Sequence, residues 1–311
     1  MADIFVENEK AYKRKKIISN VVTYSFLVFV SIAILIPFYW MILTSLKNQV
    51  EIEQLPPILA MAPGDWKIAN YTDLFTSIVP SGPREGEPLF PFFTYMGNTI
   101  LVSLLTTVGT VTTTVLAAFA FARLHFKGRN TLFAILLATM MVPGEIFILT
   151  NFLTINKFGW YDILTQSYSD AILAMTIPFM VSVFYIFYLR QTFKQIPNEL
   201  YYAAKVDGTS DFKYLTKIMI PIALPTIVTI IILNSMGAWS AYIWPAMVTA
   251  SDKYKLVSNG LRGAFTDTST GRTDYGQQMA AAALVTLPLL IVFFTFRKQI
   301  MRGVSRSGIK G

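Results

Sequence analysis

Few residues in this chain could do chemistry, and most of them lie in or beside apolar stretches. The chain has no cysteine and a single histidine, His125, which excludes disulfides, thiolate metal sites and cysteine nucleophiles. His125 sits in a basic hinge between two apolar runs and reads as structural. There is no G-x-x-x-x-G-K-[ST] phosphate loop, no cofactor fingerprint and no catalytic triad. What remains are polar groups on an apolar background. Asn234, Ser235, Trp239, Ser240, Tyr242 and Trp244 share one apolar stretch, where hydrogen-bonding groups beside stacking rings suit a sugar. The same rings also serve as helix-packing or interface anchors. Glu145 is a charge roughly fifteen residues, or about 22 Å, into another apolar stretch. A carboxylate there is expensive unless paired or wet, so Glu145 is a candidate for a gate, for a substrate contact or for helix-end packing.

The densest cluster of informative residues lies between two apolar runs, at 196–220. Pro197 suits a helix start. Leu200, Ala203, Ala204 and Asp207 then fall at i, i+3, i+4 and i+7 and form one face of a short helix. Gly208 follows, where a residue free to adopt positive φ can end it. Phe212, Leu215, Thr216 and Met219 are expected to mark the inner face of a second short helix before Pro221. Two amphipathic helices broken at a glycine make a rigid knob, and small residues at Ala203 and Ala204 would let another surface come close. A plain surface helix pair closing a loop has the same spacing. A DNA-reading helix-turn-helix is a further alternative, against which the apolar span on each side argues.

The elements that position these residues are read from hydropathy. Only 14% of residues are charged, against about 25% in an ordinary soluble domain. Six apolar stretches reach or approach bilayer length, at 21–44, 95–121, 130–152, 170–190, 222–248 and 276–296. The fold class is therefore an all-α polytopic membrane protein with six transmembrane helices. Lys13-Arg14-Lys15-Lys16 before the first stretch resembles a signal peptide in order, but the run is too long and has no small-residue cleavage site, so it reads as an uncleaved span. The second stretch is rich in Thr, Gly and Ala, which favours a helix inside the bundle. The net charge of +8 is placed for a membrane and not for nucleic acid. Eighteen Lys and Arg fall in the amino end, the 2–3 hinge, the 4–5 loop and the tail, against eight in the other loops, which puts both termini in the cytoplasm. The proline-rich stretch at 45–94, with Pro56-Pro57 and Ser81-Gly82-Pro83, reads as an external cap or docking segment.

The 196–220 stretch resembles the EAA loop of the membrane subunits of binding-protein-dependent ABC importers. Ile196-Pro197, Ala203, Ala204, Asp207, Gly208, Ile218, Pro221 and Pro225 match its pattern. The glutamate that gives the motif its name falls at Tyr202, with Glu199 one turn earlier as an acidic substitute. Other marks resemble the carbohydrate-uptake branch, the maltose-type second permease family. They are Thr44-Ser45-Leu46-Lys47, Asn70-Tyr71, Asn98-Thr99, Ala120-Phe121-Ala122-Arg123, Phe126-Lys127-Gly128-Arg129 and Met141-Val142-Pro143-Gly144-Glu145. Trp239-Ser240-Ala241-Tyr242-Ile243-Trp244-Pro245, with Ser240 where asparagine is usual, Ser251-Asp252-Lys253-Tyr254 and Gly308-Ile309-Lys310-Gly311 complete the set.

The resemblance implies a type I ABC importer transmembrane domain, without enzymatic activity of its own, that takes up a sugar. It implies residues 1–94 as basic amino end, first span and external loop, 95–297 as permease core with coupling loop 196–220, and 298–311 as cytoplasmic tail. Glu199, Tyr202, Ala203, Ala204, Asp207 and Gly208 would form the ATPase-coupling surface. The partners implied are a second, different permease, two copies of an ATPase carrying ATP and Mg, an extracellular solute-binding protein, and lipid; this chain itself would bind no cofactor or metal. A stand-alone secondary transporter or channel is the rival reading, and it would normally carry several acidic groups at membrane depth. Topology reporters fused after Lys16 and at Gly311 should both report the cytoplasm; an external signal at either end would overturn the six-span arrangement.

Overall fold

The computed structural model of the chain describes residues 2–78, 86–266 and 272–305. Ser81-Gly82-Pro83 and Gly308-Ile309-Lys310-Gly311 lie outside them. Among the described residues no strand forms, only two isolated bridges, Ile78 with Pro88 and Thr266 with Thr273. The helices run α1 Ala2–Ser45, α2 Gln49–Glu53, α3 Ala69–Thr76, α4 Phe92–Ala122, α5 Arg129–Thr139, α6 Ile146–Lys157 and α7 Tyr168–Thr176. They continue with α8 Val183–Gln195, α9 Asn198–Val206, α10 Asp211–Tyr214, α11 Ile220–Trp239, α12 Ile243–Val248, α13 Val257–Gly263 and α14 Tyr275–Ser305.

Four helical runs are long and apolar enough to cross a bilayer: Arg14–Ser45, Phe92–Ala122, Asp211–Trp239 and Tyr275–Arg297. The pair Tyr168–Phe179 and Val183–Gln195, bent by 49°, makes a fifth if counted as one span. The third expected stretch, 130–152, is two shorter helices, α5 and α6, separated at 140–145. Pro143 has no N–H to give and disfavours helical backbone at Val142, so the chain closes tight turns there, Met141 N to Ala138 O and Val142 N to Thr139 O. Glu145 is consequently not inside a continuous span. It occupies the N-cap position of α6 and is exposed.

A second expected break is absent. The short helix after Gly208 does not stop before Pro221 but runs on into α11 through a π-helical segment, Leu215–Met219, in which Ile220 N bonds Leu215 O. The wider turn takes up the residue whose ring would otherwise press on the preceding turn. It also rotates the buried face: Tyr214, Leu215 and Met219 are buried, whereas Phe212, expected inside, is 68% exposed.

The chain falls into two compact units, Met1–Thr76 with Phe265–Leu284, and Ser77–Ala264 with Val285–Gly311. In the first, α1 presents Phe26, Phe29, Ile32 and Leu35 to its surroundings. Only 6% of its most apolar window is buried, a surface that lipid solvates and water does not. The end of α1 and the turn after it are held from α3: Asn70 Nδ2 donates to Ser45 O at 2.9 Å and to Lys47 O at 2.8 Å, and the Ser45 and Tyr71 hydroxyls are 2.7 Å apart. Thr44–Lys47 and Asn70-Tyr71 thus form one cap built from both ends.

In the second unit α4 is central, packing against α8, α11, α7, α13 and the segment at 252–254. Its buried positions include Thr99, Thr106, Thr107, Thr110, Thr114, Ala118 and Ala122, as the Thr- and Ala-rich composition predicts for close helix approach. Its carboxyl-terminal half joins one apolar cluster with Leu189, Phe193, Tyr214, Met219 and Ile227. Its amino-terminal half joins another with Ile172, Met175, Trp244 and Leu256. Asn98 staples the second cluster, donating to Lys253 O and Lys255 O, each at 3.0 Å, and accepting from Tyr168 Oη at 2.9 Å. Gly260 is required here: an added Cβ would fall on the ring of buried Tyr95. Gly260→Val should lower stability by about 1–3 kcal/mol, whereas Gly97→Ala, which meets nothing within 4 Å, should be neutral or stabilising. Thermal unfolding of the two variants in detergent measures the difference.

Candidate functional site

The knob predicted at 196–220 is present, and its local chemistry explains its shape. α9 begins after Pro197 and ends at Gly208, whose φ is +73°. Gly208 N bonds Lys205 O at 3.0 Å and Thr209 N bonds Ala204 O at 2.9 Å, the paired bonds of a Schellman ending that needs a left-handed residue. No atom lies within 4 Å of a Cβ added at Gly208, so the glycine is set by backbone conformation and not by crowding. Ser210 caps the next turn by accepting from Lys213 N.

The two helices are locked by groups that hydropathy and spacing did not single out. Asp211 accepts from Tyr201 Oη at 2.8 Å and pairs with Lys205 Nζ at 2.7 Å. Lys205 also lies over the Tyr201 ring, 5.4 Å from its centroid. The hydrogen bond to Asp211 holds the Lys205 ammonium above its ordinary pKa, and loss of solvent raises the Tyr201 phenol.

The knob is fastened to α4 by Arg123. The Arg123 backbone N–H caps α4 by donating to Phe119 O, and its buried guanidinium donates to Phe193 O and Asn198 Oδ1, each at 2.8 Å, and to Ile196 O. One side chain thereby satisfies the last carbonyls of α8 and holds the first residue of α9. A buried arginine where a span ends beside a loop was the available signal. In the sequence Arg123 stands within a family mark, Ala120-Phe121-Ala122-Arg123, and outside the candidate site residues.

Of the six residues expected to form the coupling surface, five are exposed. Glu199, Leu200, Tyr202, Ala203, Val206, Asp207 and Gly208 are exposed. Ala204 is not: it is buried in the cluster with Phe193 and Tyr214 and packs this chain. The surface is unusually apolar for an exposed loop, with Tyr202 56%, Val206 88% and Phe212 68% exposed.

The candidate path residues separate into groups. Asn234 and Ser235 meet on α4, where Thr107 Oγ1 accepts from Asn234 Nδ2 and lies against Ser235 Oγ, both at 3.1 Å. Ser240 ends α11 and is exposed, with Trp239 half-buried beside it. Tyr242 is half-buried, with Arg262 donating to its hydroxyl at 3.1 Å and its guanidinium 5.2 Å from the ring centre. Trp244 is a core residue: it is buried, and its indole N–H donates to Ala174 O at 3.0 Å. Glu145 stands in the break between α5 and α6, on a different part of the sequence from the α11 residues. Among the described residues no group of three or more His, Cys, Asp or Glu could hold a metal ion.

Comparison with known proteins gives this geometry its context. Residues 110–306 match the family described as binding-protein-dependent transport system inner membrane component. The chain is 30% identical over 287 residues to the arabinooligosaccharides transport system permease protein AraQ of Bacillus subtilis, covering 92% of this chain and 94% of that one. It is 29% identical to the inner membrane ABC transporter permease protein YcjP of Escherichia coli, over 96% and 99% of the two chains. It is 27% identical to the trehalose/maltose transport system permease protein MalG of Thermococcus litoralis, again over 96% and 99%. Among solved structures, a bacterial ABC transporter involved in the import of the acidic polysaccharide alginate shares the fold, with a TM-score of 0.74 at 20% identity over 90% of this chain and 96% of that one. By sequence and by fold, the chain belongs to the family of inner membrane components of binding-protein-dependent transport systems, the permease subunits of ABC importers.

Proposed function

We propose that this chain conducts a sugar across the cytoplasmic membrane as one half of a heteromeric pore, with both termini in the cytoplasm. The observation that carries the reading is the knob: an exposed, partly apolar surface on α9, ended by Gly208 and tied through Arg123 to the central helix α4. A push on that surface reaches the spans without passing through a flexible loop. Its occupant is an ATPase dimer that carries ATP and Mg, contacting Glu199, Tyr202, Ala203, Asp207 and Gly208. A second, different permease completes the pore, and an extracellular binding protein delivers the sugar. The carbohydrate named for the AraQ and MalG relatives supports the substrate class.

Residues 1–94 then hold the first span and external loop, 95–297 the permease core, and 298–311 a cytoplasmic tail, with α5 and α6 together forming the third of six crossings. Asn234, Ser235, Trp239, Ser240, Tyr242 and Glu145 remain the candidate path. A stand-alone transporter or channel would leave the knob without a partner.

Reconstituted in liposomes with its partner permease, ATPase and binding protein, the chain should accumulate sugar only with internal ATP. Accumulation by this chain alone under a proton gradient would overturn the reading. Within that complex, Gly208→Val should cost about 1–3 kcal/mol of local strain, leave the spans inserted and abolish uptake by releasing or uncoupling the ATPase. Tyr202→Glu, on an exposed position, should be tolerated far better. Uptake and ATPase co-purification, measured side by side, distinguish these outcomes; normal uptake by Gly208→Val would reduce the knob to a connector.

A further inference from the structure

The helix pair that leads into the knob is broken at 180–182, between Phe179 and Val183. By residue count the break lies near mid-span, with twelve residues of helix before it and thirteen after it. A break at that depth frees backbone groups that lipid cannot satisfy. On the amino side the helix tightens to a 3₁₀ turn, Met180 N to Ile177 O. On the carboxyl side Ser182 caps α8, its hydroxyl accepting from Tyr185 N. The carbonyls of Phe179 and Met180 are met from α4: Thr110 Oγ1 donates to Phe179 O at 2.9 Å, and Thr113 Oγ1 lies 2.6 Å from Met180 O. Thr113 Oγ1 is also 3.0 Å from Thr110 O, an alternative acceptor on its own helix. Gly109 makes the approach possible, because an added Cβ would fall on the Met180 side chain.

The two halves of the bent pair belong to different clusters. The half before the break packs with Val102, Trp244 and Leu256, and Ala174 O accepts from Trp244. The half after it packs with Val115, Phe119 and Met219; Arg190 Nε donates to Phe121 O, and Arg123 holds Phe193 O. The half after the break therefore shares one packed body with the knob, while the half before it does not.

From this geometry we infer that residues 180–182 are the hinge at which movement of the knob enters the span, and that Thr110 and Thr113 are positioning residues that hold its freed carbonyls. Thr113, with an acceptor on each helix, can release Met180 O without leaving its own proton unpaired. Valine matches threonine in shape and lacks the hydroxyl, so it removes the donors and keeps the volume. This inference rests on the ATP-driven reading above.

The test uses the assembled importer and takes advantage of the chain's lack of cysteine. Spin labels at Leu173→Cys and Lys194→Cys, both exposed positions, span the break; a second pair, Phe184→Cys with Lys194→Cys, lies wholly after it. ATP should change the first distance and leave the second unchanged. The Thr110→Val/Thr113→Val double variant should still assemble and hydrolyse ATP but move at least about fivefold less sugar per ATP. Serine at both positions should keep the parental ratio. If the double valine variant fails to assemble, Thr113→Val alone and the distance pair in the parent still decide the matter. No change in the 173–194 distance with ATP, or a parental sugar-to-ATP ratio in the valine variant, would overturn the hinge. Failure of the proposed function would look different, because the parent complex itself would then show no ATP-driven uptake.

Discussion

A chain solvated by lipid cannot leave a backbone carbonyl unpaired, so each irregular point in it has to be answered by a local backbone bond or by a side chain. Much of the architecture follows from where those answers come from. Helix α4 supplies such side chains along its whole length. Its amino end holds the segment at 253–257 through Asn98 and Thr99, its middle holds the break at 180–182 through Thr110 and Thr113, and its end holds the approach to the knob through Arg123. The composition that lets α4 do this is the one that lets other helices come close. Threonine is small enough for tight packing and carries a donor that reaches a neighbouring carbonyl.

The knob and the spans are thus joined by hydrogen bonds at fixed points and by packed surfaces between them. Arg123 is the stiffest of these joints, because a planar guanidinium addressing two carbonyls and an amide oxygen leaves little angular freedom. The π-helical segment at Leu215–Met219 is the opposite kind of joint. It carries the chain past Pro221 with hydrogen bonding retained at Ile220 N, and it sets which residues after the knob turn inward. One side of the knob is therefore tied by a side chain and the other by a change of helical register.

Much of this was legible in the sequence. Long apolar runs located the spans, the ordered motifs located the family, and a glycine after an amphipathic turn located the end of α9. What hydropathy misjudged were the places where a run of apolar residues is not one helix. Met141, Val142 and Ile146 are apolar on both sides of Pro143, so a hydropathy window passes over the break and Glu145 looks buried. An α-helical period carried through 212–219 puts Phe212 on the inner face, but the segment Leu215–Met219 has another period. Trp244 shares an apolar run with the polar residues before it, although the chain turns at 240–242 and delivers its ring to the core. Ala204 could not be told from Ala203 by size, since only the packing of Phe193 and Tyr214 separates the two. In each case the missing information was tertiary: which neighbour stands ready to accept or donate at the point where the local pattern ends.

The segment between α12 and α13 shows how little freedom such bonding leaves to the length of a loop. Gln166 donates to Val248 O and accepts from Ala250 N, Tyr254 Oη donates to Gln166 O, Asn98 takes Lys253 O and Lys255 O, and Val257 N donates to Thr99. Ties at 248, 250, 253, 254, 255 and 257 leave no stretch longer than two residues in which an extra one could be absorbed. Surface loops ordinarily accept insertions at little cost, but this one is measured residue by residue against α4 and the loop that precedes α7. Its length is therefore as much a part of the fold as any residue in it, and lineages that carry the same fastenings should differ here by substitution and not by insertion or deletion.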